Sequence, residues 1–196
     1  MGDIYHQELK VTADQRRERN THDSFVIWIY GLSGAGKSTI ASALDKSLFE
    51  DGISTYVLDG DNVRLGLNKH LGFSPEDRKE NQRRVAEVAN LFIDAGVVCL
   101  AAFISPLQSD REMVRNIIGS GRFLEVFIET PLEECERRDV KGLYKKARTG
   151  ELNNFTGISA PFELPDESVF RIDTTKQSLD ESVNQLKALI QDRLHR

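Results

Sequence analysis

The stretch that decides the fold is a glycine-rich run, Gly31-Leu32-Ser33-Gly34-Ala35-Gly36-Lys37-Ser38-Thr39. The residues before it, 25–30, are apolar like a buried strand, and residues 40–48 after it are apolar at helical spacing. A strand, a glycine-rich loop and a helix in this order form a phosphate-binding loop, the P-loop. The sequence therefore predicts a nucleoside triphosphate site at residues 31–39.

Each residue type in this loop has a chemical task. The glycines allow consecutive backbone N–H groups to curl around a phosphate, and the Lys37 ammonium reaches the terminal phosphate oxygens. The Ser38 hydroxyl is the expected ligand of Mg²⁺, and the following helix directs its positive end at the same anion. The alternative is a glycine-rich turn without a ligand, which the matching flanks on both sides disfavour.

Outward from the loop, strand-like runs alternate with helical patterns. Strands are predicted at residues 55–58, 97–104, 123–128 and 169–172. Helices are predicted after Ser74, where Asp77 completes a capping-box-like pattern, near residues 109 and 131, and after Ser178. This alternation predicts an α/β fold: a doubly wound, mainly parallel sheet with helices on both faces and ligands at the strand carboxyl ends. We divide the chain into an N-terminal arm, residues 1–24, with a short helix after Thr12, and a P-loop domain, residues 25–196.

Residues 140–165 interrupt the alternation. This segment has three glycines, two prolines and no clean apolar period, and it carries the basic residues Lys141, Lys145, Lys146 and Arg148. Such a composition is typical of a mobile lid that closes over a bound ligand. A solvated basic surface loop explains the composition equally well.

Composition excludes several classes of protein. A length of 196 residues fits one domain, and a net charge of -5 argues against a nucleic-acid partner bound through a basic surface. No stretch approaches the roughly 18 apolar residues of a membrane span, and the polar N-terminus does not resemble a signal peptide. Cys99 and Cys135 lack the spacing of a metal site or a disulfide framework, which favours a reducing, cytoplasmic location.

The remaining motifs distinguish between the classes of P-loop protein. The run Asn68-Lys69-His70-Leu71 lacks the aspartate of a guanine-reading motif, so a GTPase is disfavoured. The acidic pair in Asp59-Gly60-Asp61 follows a strand. This position suits a kinase, in which a carboxylate must contact the acceptor hydroxyl or the metal. Arg64 and Arg78 follow closely, and guanidinium groups suit phosphate or sulfate, so the acceptor is predicted to be an anion. Arg83 and Arg84 are assigned to a solvated helix face.

Together these motifs resemble those of the adenylylsulfate kinase family. The resemblance rests on residues 31–39, 59–64, 71–78, 103–106 and 141–148, which occur in the family's order over most of the chain. It implies transfer of the ATP γ-phosphate to the 3′-hydroxyl of adenosine 5′-phosphosulfate (APS), giving 3′-phosphoadenylyl sulfate in sulfate assimilation. It also implies a homodimer, with ATP and APS as the small-molecule partners.

The same resemblance implies roles for single residues. Lys37 holds the donor, Asp61 lies beside the 3′-hydroxyl, and the family's serine at Ser105 is described as a phosphoserine intermediate. We favour direct transfer, because a serine followed by a proline at a strand end also suits positioning through the backbone. The APS-binding residues implied by the resemblance are Asp61, Arg64, Phe73, Arg78, Asn81, Ile104, Ser105, Lys141 and Phe155, with Phe73 and Phe155 on either side of the adenine.

Two other functions stay open. A P-loop kinase acting on another nucleotide or on a sugar has the same donor site, and only the reading as an adenylylsulfate kinase requires a phosphosulfate. A catalytically silent nucleotide-binding module is the second alternative. The intact Lys37, Ser38 and Asp61 disfavour it.

Overall fold

The computed structural model describes residue 5 and residues 7–195. Its centre is a sheet of five strands in the order β2-β3-β1-β4-β5, with every neighbouring pair parallel. The predicted doubly wound parallel sheet is confirmed. The strands are β1 (Val26–Tyr30), β2 (Thr55–Asp59), β3 (Val98–Phe103), β4 (Phe123–Ile128) and β5 (Phe170–Ile172).

Helices connect the strands and cover both faces of the sheet. They are α1 (Ala13–Asn20), α2 (Lys37–Glu50), α3 (Gly60–Leu65), α4 (Pro75–Asp94), α5 (Gln108–Ile118), α6 (Leu132–Arg138), α7 (Leu143–Arg148) and α8 (Leu179–Leu194). A short 3₁₀ turn, Ser120–Arg122, precedes β4.

The alternating side chains of β1 divide the core into two layers. Ile27 and Ile29 belong to a layer filled by α2 and α8, whereas Trp28 and Tyr30 belong to a layer filled by α4 and α5. All four side chains are fully buried. A strand buried on both faces has a continuous apolar sequence, which explains why residues 25–30 show no polar alternation.

The N-terminal arm contains the predicted short helix, α1. Thr12 and Gln15 form a complete capping box at its start. At its end, Asn20 Nδ2 donates to the Gly96 carbonyl O at 2.8 Å, so the helix packs against the turn before β3. The division of the chain at residue 24 stays a prediction.

Two local predictions were incomplete. Ser74 caps α4 as expected, but the Asp77 carboxylate accepts from Gly72 N at 3.0 Å instead of closing a capping box. Residues 140–165 contain the unpredicted helix α7, which buries Tyr144 and Ala147. A helix of six residues with two buried positions is too short to produce a clear helical period. The mobility of this segment stays a prediction.

In the part of the chain that the structure describes, every helix is too short or too polar to cross a membrane.

The cap of α8 provides a test of the fold. Ser178 and Glu181 form a complete capping box at the start of this helix. We expect Ser178→Ala to lower the free energy of unfolding by about 1 kcal/mol, because it removes the acceptor of an otherwise unpaired helical N–H group. Urea unfolding measures the change, and Ser168→Ala at an exposed turn is the matched control. Equal stability of the two variants would contradict the capping role.

Candidate active site

The residues singled out from the sequence gather at one edge of the sheet. The P-loop follows β1, Asp61 follows β2, and Ile104 and Ser105 follow β3. Because the strands are parallel, their carboxyl ends lie at the same edge, where doubly wound sheets bind ligands. The segments that carry Phe73, Arg78, Asn81, Lys141 and Phe155 contribute further residues to this region.

The P-loop backbone requires glycine at two positions. A Cβ atom at Gly31 would lie 2.7 Å from the Ile128 carbonyl O, a distance that real Cβ contacts do not reach. Gly34 has φ +76°, a left-handed conformation that side chains disfavour, and a Cβ there would lie 3.1 Å from the Cys135 carbonyl O. The loop is therefore closely packed against β4 and α6.

Lys37 is a buried cation in this loop. Its ammonium donates to the Leu32 carbonyl O at 2.7 Å, and the residue is only 9% exposed. Burial is the main cause that lowers the pKa of Lys37 to about 8. The charges of Asp59 and Asp61 offset part of this effect, and a bound phosphate would stabilise the ammonium further.

Ser38 lies beside Asp59, the member of the acidic pair to which the sequence assigned no individual role. Its hydroxyl donates to Asp59 Oδ2 at 2.6 Å, while Asp59 Oδ1 accepts from Asp61 N at 2.9 Å. Asp59 therefore caps α3 and also offers an oxygen next to Ser38. A hydroxyl and a carboxylate fit Mg²⁺, which prefers oxygen ligands and completes its shell with phosphates and water. The acidic Asp59-Gly60-Asp61 motif was the signal available in the sequence.

Asp61 lies in the first turn of α3, and its Oδ2 is paired with the ammonium of Lys141. Both side chains are more than half exposed to solvent. This ion pair joins the end of β2 to the start of the lid segment. It brings together two residues that lie 80 positions apart in the sequence.

Arg64 and Arg78 lie near one another, but both guanidinium groups are engaged by protein atoms. Arg64 Nη1 donates to the Gly72 carbonyl O at 2.8 Å, and its guanidinium lies 4.5 Å from the centre of the Phe73 ring. Burial, and then the charge of Arg64, lowers the pKa of Arg78. Two cations held close together favour a bound anion.

Asn81 and Phe155 are fixed by neighbours that the sequence did not indicate. Asn81 is 4% exposed, and its Oδ1 accepts from Asn68 Nδ2 at 2.9 Å. The ring of Phe155 meets the buried Tyr144 edge to face at 5.0 Å. Phe73, in contrast, is 67% exposed.

Ser105 has a different environment from that of the other candidates. It is 2% exposed, and its hydroxyl accepts from Trp28 Nε1 at 2.9 Å. Its carbonyl O accepts from Arg111 Nη1 at 2.9 Å, and its φ of +42° is unusual for serine. The hydroxyl is thus held by a core tryptophan. Arg83 and Arg84 pair with Glu80 on α4, as the assignment to a helix face predicts.

Comparison with known proteins identifies the family. The adenylylsulphate kinase model matches residues 23–173, which is most of the chain. The chain belongs to the adenylylsulphate kinase family.

Individual members of this family are similar over nearly their whole length. The adenylyl-sulfate kinase of Bacteroides thetaiotaomicron is 57% identical over 180 residues, which cover 92% of this chain and 90% of that protein. The enzyme of the same name from Lactiplantibacillus plantarum is 57% identical over 182 residues, covering 93% and 87%. The APS kinase of Mycobacterium tuberculosis, solved in complex with AMPPNP and APS, has a TM-score of 0.83, 46% identity and coverage of 86% and 98%.

The buried ammonium of Lys37 generates a prediction for this adenylylsulphate kinase family member. We expect Lys37→Met to raise the free energy of unfolding of the ligand-free protein at pH 7 by on the order of 2–3 kcal/mol, because a charge held at lowered pKa destabilises the fold. The pKa of Lys37 in the folded protein lies below its usual value of 10.5. The stability gained by the substitution is therefore complete below about pH 8, where Lys37 is charged in both states, and it disappears as the pH rises towards 10.5. Urea unfolding at both pH values measures it.

Lys46→Met is the control for this substitution, because the Lys46 side chain is 76% exposed. We expect it to leave stability nearly unchanged at both pH values. A Lys37→Met protein that is no more stable than the parent at pH 7 would show that burial of the charged Lys37 does not lower the free energy of unfolding.

Proposed function

We propose that the protein transfers the γ-phosphate of ATP to the 3′-hydroxyl of APS, forming 3′-phosphoadenylyl sulfate and ADP for sulfate assimilation. The observation that carries the proposal is the position of Asp61 and the two arginines beside a complete P-loop, in a member of the adenylylsulphate kinase family. The P-loop supplies a donor site. The carboxylate and the cations supply a site for an anionic acceptor that carries a hydroxyl.

On the donor side, residues 31–39 bind the phosphates of ATP. The Lys37 ammonium exchanges the Leu32 carbonyl O for phosphate oxygens and counters the charge that develops on them. Ser38 and Asp59 hold Mg²⁺, which neutralises phosphate charge when it is bound.

On the acceptor side, three groups bind the phosphosulfate and two rings bind the base. Arg64, Arg78 and Asn81 supply N–H donors for the anion. Phe73 and Phe155, which we call the aromatic clamp, stack on opposite faces of the adenine, while Ile104, Ser105 and Lys141 lie nearby. Base stacking on an aromatic ring contributes roughly 1–3 kcal/mol.

The transfer itself needs little covalent chemistry from the protein. Phosphoryl transfer depends on in-line positioning and on stabilisation of charge, and Asp61 orients the 3′-hydroxyl and accepts its proton. Lys141 keeps the Asp61 carboxylate beside the lid segment until the acceptor hydroxyl arrives. Because the Ser105 hydroxyl accepts from Trp28 in the core, we assign no covalent intermediate to it.

Three further features belong to this proposal. The lid, residues 140–165, closes over both nucleotides and excludes water during transfer. The protein acts as a homodimer in the cytoplasm, a location that suits the two buried free thiols, Cys99 and Cys135.

The proposed reaction can be tested by the dependence of ATP consumption on the acceptor. We expect ADP to form rapidly with APS and at a background rate without it, together with a product phosphorylated at the 3′-position. AMP, other nucleotides and a panel of sugars are the comparison acceptors. ADP formation that is as fast with a sugar or another nucleotide would favour the alternative kinase function.

The direct mechanism can be tested at Asp61 and Ser105. We expect Asp61→Asn to lower kcat by about 10²–10⁴-fold, because it removes the proton acceptor. Ser105→Ala removes a buried hydrogen bond and should keep kcat within about tenfold of the parent.

Stereochemistry gives an independent measure of the same mechanism. Direct transfer inverts the configuration of a chiral γ-phosphorus once, whereas a phosphoserine intermediate inverts it twice and gives retention. Retention, together with a folded but inactive Ser105→Ala protein, would make Ser105 the nucleophile.

A further inference from the structure

Arg78 joins two chain segments that lie far apart in the sequence. It is the fourth residue of α4, and its Nε donates to the Phe73 carbonyl O at 2.9 Å. Its Nη1 donates to Thr156 Oγ1 at 2.8 Å, and its Nη2 donates to the Asn154 carbonyl O at 2.6 Å. A guanidinium has five N–H donors in one plane. These contacts use three of them and leave one on each terminal nitrogen.

The two segments are those that carry the aromatic clamp. One contact of Arg78 is with the backbone of Phe73 itself, and the other two are with Asn154 and Thr156, the residues on either side of Phe155. The Thr156 hydroxyl is enclosed, since the residue is 2% exposed. One guanidinium on α4 therefore contacts both segments that carry the rings.

The backbone around Phe155 forms a tight turn, so a contact at Thr156 also constrains the ring. Phe155 N donates to Ser159 Oγ at 3.0 Å, and the Phe155 carbonyl O accepts from the N–H groups of residues 158, 159 and 160. Gly157 N donates to the Ala160 carbonyl O at 2.8 Å. A turn with this many internal bonds moves as a unit.

We propose that Arg78, through Thr156, ties the two sides of the aromatic clamp together, and that Thr156 is a positioning residue for the acceptor nucleoside. This inference rests on the proposed function, in which Phe73 and Phe155 hold the adenine of APS. The two remaining N–H groups of Arg78 are available to donate to the phosphosulfate, so the same guanidinium has a second role as an anion ligand. Fixing the clamp before binding reduces the conformational entropy that binding must remove.

A role of Arg78 as an anion ligand alone leads to the opposite expectation. In that case Thr156 and Asn154 compete with the phosphosulfate for the guanidinium. Removing the Thr156 hydroxyl would then free a donor, and the affinity for APS would stay the same or increase. The sign of the change in affinity therefore separates the two roles.

The decisive variant is Thr156→Val, which keeps the shape of the side chain and removes the acceptor oxygen. We expect it to raise the dissociation constant for APS about tenfold, the loss of one hydrogen bond to a charged group. The dissociation constant for ATP should not change, and Thr156→Ser should restore the affinity for APS. Isothermal calorimetry measures all of these values.

Thr149→Val is the matched control, because it removes a hydroxyl in the same segment that bonds only within residues 146–151. We expect it to leave the affinity for APS unchanged. An affinity of Thr156→Val that is equal to or higher than that of the parent would overturn the inference.

Hydrogen exchange of the ligand-free protein supplies a readout that does not require a substrate. Thr156→Val should accelerate amide exchange over residues 154–160, and Thr149→Val should not. Amide exchange that is unchanged in Thr156→Val would show that Arg78 does not hold the turn through Thr156. A parent protein that does not bind APS at all would refute the proposed function instead, and the exchange result would still decide whether Thr156 holds the turn.

Discussion

The interaction on which the site depends is the burial of the Lys37 ammonium against the backbone of its own loop. A buried cation whose hydrogen bond goes to a neutral carbonyl destabilises the fold, and a loop that holds it must itself be held in place. The surrounding elements do this. Arg138 donates to Thr174 Oγ1 at 3.0 Å and to the loop carbonyl groups at 3.4 and 3.5 Å, and Thr130 Oγ1 donates to the Ala35 carbonyl O at 3.0 Å. The fold thus maintains a positive charge in advance of the anion that it binds.

The same loop is connected to the turn that carries Phe155 through one side chain. Tyr144 OH donates to the Ser33 carbonyl O at 2.9 Å, and the Tyr144 ring meets Phe155 edge to face. Helix α7 therefore contacts both the P-loop and the turn that carries Phe155. Tyr144 is buried in the core layer with α2 and α8, so this side chain anchors α7 to that layer. One buried tyrosine consequently joins the P-loop, α7 and the turn that carries Phe155.

The sequence was informative wherever one local pattern determines the structure. The apolar run of β3, the Ser74-Pro75 start of α4 and the P-loop were all predictable, because strand burial, helix capping and phosphate binding depend on neighbouring residues. The contacts that depend on tertiary packing were not. Arg78 and Thr156 are separated by 78 positions, and the hydrogen bond from Trp28 to Ser105 spans 77. A motif indicates that a serine follows a strand, but only packing determines which way its hydroxyl points.

The bond between Trp28 and Ser105 also has a practical consequence. Trp28 is the only tryptophan of the chain, it is fully buried on β1, and its ring stacks on Phe103 at 5.2 Å. Its indole N–H donates to Ser105, which follows the carboxyl end of β3 at the edge of the sheet where the P-loop lies. Indole emission responds to hydrogen bonding and to neighbouring rings, so the tryptophan fluorescence of the protein comes from one known position. Tryptophan emission therefore reports, without any added label, on the boundary between the core and the candidate site.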